Sequence, residues 1–191
     1  MNFIIDLWIA PLSALIIYAA RVMELRTKRN TIAGPILENL TLRLFISLGT
    51  LMLCGSILEY FLRVKGVSWI FFAAGWVVAL CSFILRRRAI AALGRFWSLH
   101  VEIRETHQLV REGPFRWVRH PAYFSMILEI LSIGLILQSW ITMLVVYAAF
   151  LPTLAARIRI EEKALIEKFG DAYIQFKRTT PALIPYKGPC Q

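Results

Sequence analysis

Arg157 and Glu161 have the types and spacing of residues that could do chemistry. They are spaced i, i+4, so in a helix both side chains project from one face. Such a pair either stabilises its own helix by roughly 0.2–0.5 kcal/mol or holds a zwitterionic or anionic ligand. Arg159 and Glu162 point to other sides of the same helix, and we expect both to be solvated. Spacing alone leaves the two interpretations of the pair open.

An apolar run begins within the motif Arg119-His120-Pro121-Ala122-Tyr123. Proline is favoured in the first turn of a helix, because the N–H that it lacks would have no helical partner there. Arg and Tyr are also common at membrane interfaces, so the motif could be no more than a helix start. Alternatively, a His beside a helix N-terminus could donate a hydrogen bond to a polar ligand.

A turn signal, Gly113-Pro114, follows closely on the motif His107-Gln108-Leu109-Val110. We therefore expect the backbone of this motif not to be fully helical. Irregular backbone near a membrane leaves N–H and C=O groups available to a ligand. Adenine-type rings are often bound by such groups and by apolar walls. A solvated loop is the alternative.

Membrane helices must position these residues, because 58% of the chain is hydrophobic, against about 45–50% in soluble domains. Five apolar runs are each close to the ~20 residues that cross a bilayer. The last two are separated only by residues 138–140, which predicts a helical hairpin; one long buried helix is the alternative. We predict an all-α polytopic membrane protein with about five transmembrane helices, at residues 3–20, 44–62, 67–85, 121–137 and 141–156.

The chain divides into two predicted units. Residues 1–88 form three transmembrane helices. Residues 89–191 form a cofactor-binding core with the helical hairpin 121–156 and a cytoplasmic C-terminal tail. The apolar residues of the tail have helical spacing, which predicts an amphipathic helix ending or bending at Gly170. We expect this helix, and a short one over 171–177, to lie on the membrane surface or to close a pocket.

The distribution of charge predicts the topology. The net charge is +10, and 20 of the 22 Lys and Arg residues fall in segments 21–43, 86–120 and 157–191. Five spans place these segments on one side, which is the cytoplasm by the positive-inside rule, so the N-terminus faces out. No basic arm stands apart from the apolar runs, which argues against nucleic-acid binding.

Glu129 and Asp6 are carboxyls within apolar runs, and a carboxyl inside a membrane is a candidate site by default. Glu129 lies about two turns inside and is either protonated or faces a pocket, whereas Asp6 is close to the outer face. Glu59 is spaced to pair with Arg63. The three cysteines have an odd count and no metal-site spacing, so we expect neither a disulfide framework nor a metal.

Taken in order, these motifs resemble the isoprenylcysteine carboxyl methyltransferase family, and the compact chain resembles its prokaryotic members. The resemblance spans roughly residues 93–185. The first three predicted helices carry no motif of the family and are similar to it only in being apolar. The order of the motifs around the hairpin makes the resemblance specific. It is carried by His107-Gln108-Leu109-Val110, Gly113-Pro114-Phe115, Arg119-His120-Pro121-Ala122-Tyr123, Glu161-Glu162-Lys163-Ala164-Leu165, Phe169-Gly170-Asp171-Ala172-Tyr173 and Ile184-Pro185.

The resemblance implies S-adenosylmethionine as methyl donor, S-adenosylhomocysteine as product, and a carboxylate on a prenylated cysteine as acceptor. It implies that Arg157 holds the substrate carboxylate and, with Glu161, acts in catalysis. Phe115 stands where the family often has Tyr, so a ring wall is kept and a hydroxyl is lost. The implied cofactor-binding residues are His100, His107, Gln108, Leu109, Val110, Phe115, His120, Pro121, Ala122, Tyr123 and Glu161.

Methyl transfer from a sulfonium to a carboxylate neutralises charge and requires orientation rather than a general base, since a carboxylate is ionised at pH 7. The acceptor could instead be a lipophilic thiol or amine, for which Glu161 or Glu129 could act as base. Two other functions stay open. One is an NAD(P)H-dependent membrane reductase of sterol-reductase-like architecture, and the other is a non-enzymatic membrane partner protein.

Overall fold

The structure is a computed structural model that describes residues 3–26, 39–63, 66–98 and 108–189. Within these ranges the chain forms six α-helices and no strand, which confirms the predicted all-α fold. In chain order the helices are α1 (Phe3–Arg26), α2 (Leu40–Arg63), α3 (Trp69–Leu93), α4 (Pro121–Leu137), α5 (Trp140–Phe169) and α6 (Asp171–Thr179). Short 3₁₀ turns occupy Gly94–Phe96 and Gly113–Arg116.

Four of these helices, α1, α2, α3 and α5, are long and apolar enough to cross a membrane. Helix α4 is equally apolar in character but has only 17 residues. Large apolar side chains cover the outer faces of the bundle, with Leu62 74%, Ile70 80% and Leu144 71% exposed. Such a surface is unfavourable in water and favourable in lipid. The predicted polytopic membrane fold is therefore confirmed.

Helix α5 is longer than the apolar run that predicted it. It continues for 30 residues because no Gly or Pro interrupts residues 157–169. The predicted amphipathic tail helix is thus the polar continuation of the fifth apolar run. The helix ends before Gly170, whose φ of +54° is one that Gly adopts readily. This continuity places Arg157 and Glu161 one turn apart, just beyond the apolar part of α5.

The predicted hairpin between α4 and α5 is confirmed. Gln138 ends α4 with a left-handed φ of 51°. Glu59, whose spacing predicted a pair with Arg63, accepts hydrogen bonds from the backbone N–H groups of Ile141 at 3.1 Å and Thr142 at 2.8 Å. These N–H groups have no partner within α5, so α2 supplies the cap that the first turn of α5 lacks. The cap connects the hairpin to the N-terminal helices.

Helices α3 and α4 approach closely at Gly75. A Cβ atom on Gly75 would lie 2.6 Å from Ile136 Cγ1 and 2.9 Å from the Ser132 carbonyl oxygen. Only a residue without a side chain fits there, as is common where membrane helices pack. This contact holds the inner face of α4, which carries Tyr123 and Glu129, against the rest of the bundle.

Candidate functional site

The motif residues converge on one cavity of about 440 Å³. Helices α1 to α6 all contribute to its lining, together with the segment that precedes α4. His100 and His107 lie outside the described residues. The predicted site residues that line the cavity are Gln108, Leu109, Val110, Phe115, His120, Pro121, Ala122, Tyr123, Arg157 and Glu161.

The segment before α4 has the backbone that the sequence predicts. Residues 108–111 form neither helix nor strand. A 3₁₀ turn over Gly113–Arg116 then buries the Phe115 ring. Helix α4 starts at Pro121, the expected first-turn position, with His120 as its N-cap. The backbone next to the cavity is therefore irregular up to the point where α4 begins.

Arg157 and Glu161 are connected through Tyr123. Arg157 is buried, at 3% exposure, and its Nε donates to the Tyr123 hydroxyl at 2.9 Å. The Tyr123 hydroxyl donates in turn to Glu161 Oε2 at 2.5 Å. Arg157 Nη1 donates to the Thr41 hydroxyl of α2 at 2.8 Å. The two residues of the i, i+4 pair thus share a partner from α4, which places a cation and an anion on one wall of the cavity.

Glu162 was expected to be solvated, and this expectation is wrong. Its carboxylate is buried and accepts from Arg119 Nε at 2.9 Å and Nη2 at 2.7 Å. His120 Nε2 lies 3.2 Å from the same oxygen, and Lys177 Nζ lies 2.7 Å from the other. Burial by itself would raise the pKa of Glu162, but the donors of His120, Lys177 and Arg119 hold that pKa well below its usual range.

The tail closes over the motif end of the cavity. Backbone N–H groups of Arg119 and His120 donate to the carbonyls of Pro181 at 2.9 Å and Ala182 at 3.0 Å. Tyr173 of α6 is buried. Its pKa is raised mainly by burial and further by the nearby charges of Glu162 and Glu161. Of the two expected roles for the tail helices, closing a pocket is the one that the structure supports.

The rest of the cavity wall is mostly apolar and comes from the membrane helices. Phe45 and Met52 of α2, Ile130 and Ile133 of α4, and Phe150 of α5 line this part. A ligand in this cavity therefore meets polar and aromatic groups from the motifs at one end and hydrocarbon at the other. Such a lining suits an amphiphilic molecule.

A buried ionic network stands beside the apolar wall. Arg21 Nε of α1 lies 2.6 Å from Glu129 Oε2, and Arg21 is also paired with Glu24. Arg86 Nε of α3 lies 3.4 Å from Glu24 Oε1. Arg21, Arg86 and Glu129 line the cavity. Glu129 was expected to be protonated or to face a pocket, and it faces the cavity with an arginine partner; the side chain of Asp6 lies outside the described residues.

We expect Glu129→Ala to lower the free energy of unfolding by about 3 kcal/mol, because it leaves Arg21 with one buried anion fewer. The measurement is thermal or denaturant unfolding of the detergent-solubilised protein. In the double variant Arg21→Met with Glu129→Leu the loss should be smaller, since one cation and one anion are removed together and Glu24 keeps Arg86 as its partner. Equal stability of Glu129→Ala and the wild type would show that the network does not stabilise the bundle.

Comparison with known proteins agrees with this geometry. The model of the isoprenylcysteine carboxyl methyltransferase (ICMT) family matches residues 69–167. Uncharacterized protein YpbQ of Bacillus subtilis is 38% identical over 99 residues, which cover 52% of this chain and 57% of that protein. Protein-S-isoprenylcysteine O-methyltransferase B of Arabidopsis thaliana is 28% identical over 138 residues, which cover 69% of this chain and 70% of that one.

A solved structure has the same fold. It is that of the eukaryotic intramembrane Ras methyltransferase ICMT, with a TM-score of 0.62 and 25% sequence identity. The match covers 74% of this chain and 53% of that one, so the chain spans only about half the length of the solved relative. Because the family model matches more than half of the sequence, and that match includes α4 and the ion-paired part of α5, the chain belongs to the isoprenylcysteine carboxyl methyltransferase family.

Proposed function

We propose that this chain is a membrane methyltransferase that moves a methyl group from S-adenosylmethionine to the carboxylate of a lipophilic acceptor of isoprenylcysteine type. One observation carries the proposal. A single cavity of about 440 Å³ joins the motif residues to an apolar wall inside the membrane, and Arg157 lines it. Its volume falls in the range of small-molecule sites, roughly 300–1,000 Å³.

The described residues fit the cofactor by the chemistry of their groups. The irregular backbone at 108–111 leaves N–H and C=O groups outside regular helix. Leu109, Val110 and the buried Phe115 offer an apolar wall for an adenine ring, and Glu161 offers an anion. When bound, the cofactor supplies a methyl group on a cationic sulfonium. We assign its binding to His100, His107, Gln108, Leu109, Val110, Phe115, His120, Pro121, Ala122, Tyr123 and Glu161.

We assign the acceptor carboxylate to Arg157. A guanidinium has five N–H donors in a fixed plane and can grip a carboxylate through two of them. Thr41 and Tyr123 each accept one hydrogen bond from the Arg157 side chain, which fixes its plane. The apolar wall from α2, α4 and α5 then suits the hydrocarbon part of the acceptor. The chain's contribution is orientation and exclusion of water, because the acceptor is already ionised at pH 7.

We further propose that the motif end of the cavity faces the cytoplasm and that the N-terminus faces out. The charge distribution supports this sidedness, since the basic segments flank the polar end of α5 and the start of α4. A water-soluble donor would then enter from the cytoplasm, and a lipophilic acceptor would enter from the membrane.

The proposal is tested by incubating purified protein in lipid nanodiscs with methyl-labelled S-adenosylmethionine and three prenylated acceptors, which carry a carboxylate, a thiol or an amine. We expect label on the carboxylate acceptor. Calorimetry should show binding of S-adenosylhomocysteine and none of NADPH. Binding of NADPH alone would favour a reductase, and binding of neither would favour a non-enzymatic partner protein.

We predict that His120→Ala raises the Kd for S-adenosylhomocysteine about tenfold, measured by calorimetry. The His120 ring stacks on Tyr123 with 5.5 Å between ring centroids and bonds to Glu162, so its loss loosens the start of α4. Trp117→Ala is the control, because Trp117 is 48% exposed. An unchanged Kd in His120→Ala would contradict the assignment.

A further inference from the structure

Helix α2 holds the Arg157 side chain, although α2 and Arg157 are far apart in the sequence. Thr41 stands in the first turn of α2 and is 6% exposed. Its hydroxyl accepts from Arg157 Nη1 at 2.8 Å. One turn further along, the Phe45 ring centroid lies 5.7 Å from the Arg157 guanidinium carbon. The two residues are spaced i, i+4, so one face of α2 supplies both a hydrogen-bond acceptor and an aromatic ring.

Helix α4 holds the same guanidinium with a matching pair of contacts. The Tyr123 hydroxyl accepts from Arg157 Nε at 2.9 Å, and the Tyr123 ring centroid lies 5.8 Å from the guanidinium carbon. Two hydroxyls and two rings from different helices thus determine the plane of the arginine. Each contact on α2 has a counterpart on α4, so neither helix alone fixes the orientation of Arg157.

We infer that Thr41 is a positioning residue for the acceptor, which it orients through Arg157. The inference rests on the proposed function of Arg157. Phe45 lines the cavity, whereas Thr41 is not among the described residues that line it, so the Thr41 hydroxyl acts on the acceptor only through the guanidinium. Displacing a binding group by about 1 Å can lower a rate a hundredfold. The first half of the chain therefore takes part in catalysis as well as in anchoring.

A purely structural role for the Thr41 hydroxyl makes a different prediction. Helices α2 and α5 already pack through Phe45 and Phe150, whose ring centroids are 5.2 Å apart. If the hydroxyl only added to that packing, its loss would weaken donor and acceptor use alike. If it orients Arg157, the loss falls on the acceptor alone, because the donor is assigned to other residues.

Three variants test the inference in the full-length protein in nanodiscs. Thr41→Val removes the hydroxyl and keeps the shape, and Thr41→Ser keeps the hydroxyl. Thr153→Val is the matched control on α5, one turn before Arg157. The Thr153 hydroxyl donates to the Ala149 carbonyl of its own helix at 2.9 Å, so this change removes a hydroxyl without touching the guanidinium.

For Thr41→Val we expect kcat/KM for the carboxylate acceptor to fall roughly tenfold, the size expected for one hydrogen bond to a charged group. The KM for S-adenosylmethionine and the Kd for S-adenosylhomocysteine should stay within about twofold. Thr41→Ser should recover most of the loss, and Thr153→Val should match the wild type. Equal losses for donor and acceptor, or no loss, would overturn the inference.

A second readout does not depend on activity. Phenylglyoxal modifies accessible arginines, and peptide mass spectrometry gives the rate at Arg157 alone. We expect faster modification of Arg157 in Thr41→Val and wild-type rates in Thr41→Ser and Thr153→Val. An unchanged rate in Thr41→Val would overturn the role of α2 in holding Arg157. A wild type that transfers no methyl group would overturn the proposed function, and faster modification in Thr41→Val would still support the role of Thr41 in holding the guanidinium.

Discussion

Replacing Arg157 by Ala is expected to lower methyl transfer at least about a hundredfold and to leave the Kd for S-adenosylhomocysteine within about twofold. Arg157 is buried at 3% exposure on the cavity wall, where its bond to Tyr123 places it beside Glu161. Without it, a carboxylate would enter a cavity with a mostly apolar wall and without the cation assigned to it, so both its binding and its orientation would suffer. Acceptor kinetics measure the loss of methyl transfer, and calorimetry on the same preparation measures the Kd for S-adenosylhomocysteine.

Two further variants test whether the effect is specific to the guanidinium of Arg157. Arg159→Ala is the control, because Arg159 lies on the same helix two residues later and is exposed. Arg157→Lys should be only partly active, since an ammonium keeps the charge and loses the planar fork. Normal turnover in Arg157→Ala would contradict the assignment of the acceptor carboxylate. If Arg157→Ala lost both cofactor binding and turnover, Arg157 would be needed for the structure of the whole site and not for the acceptor alone.

Replacing Glu162 by Gln is expected to lower the free energy of unfolding by about 3–5 kcal/mol at pH 7, the usual cost of breaking a buried ion pair. Its carboxylate is the common acceptor for Arg119, His120 and Lys177. A neutral amide would leave the Arg119 guanidinium, whose side chain is only 8% exposed, without its anion. Because Arg119 also donates to the carbonyl of Lys177 at 3.0 Å, we expect the contact between the tail and the start of α4 to loosen and cofactor affinity to fall as well.

The pH dependence of this effect has a defined sign. The pKa of Glu162 is held below that of the unfolded chain, roughly 4.3, so its contribution to stability is fully present above that value. The stability difference between wild type and Glu162→Gln should therefore shrink as the pH falls below about 4.3. Glu167→Gln is the control, since Glu167 is exposed and its pair with Lys163 spans 4.0 Å. A difference that stays constant down to low pH would contradict this account.

Local patterns in the sequence were enough to predict the helices and the position of the motifs. Apolar runs predict membrane helices because each must satisfy its own backbone hydrogen bonds and present hydrocarbon to lipid. The hairpin follows from the brief polar gap at Gln138, and the start of α4 follows from Pro121. The irregular backbone at 108–111 follows from the nearby turn signal at Gly113. Each of these features depends on neighbours only a few residues away.

The partners of the buried charges could not be predicted in this way. Glu162 lies in a charged stretch of sequence that is typical of a solvated helix face. It is buried because the tail after Gly170 folds back onto Arg119 and His120, just before α4. Arg21 and Glu129, the paired residues of the ionic network, lie on α1 and α4, and Thr41 and Arg157 lie on α2 and α5. No local signal indicates such pairs. The one hint in the sequence is that ionisable residues such as Glu129 lie within apolar runs, where a charge requires a partner.

The sequence by itself therefore determined an all-α membrane protein, the turn before α4, and which motif residues are chemically able to bind a charged ligand. These properties depend on hydrophobicity and on backbone preferences, which act over a few residues. Only the tertiary structure decided that Tyr123 joins Arg157 to Glu161 and that Glu162 is buried. Those contacts arise from the packing of helices that are distant in sequence, where the cost of burying a charge selects the partner that neutralises it.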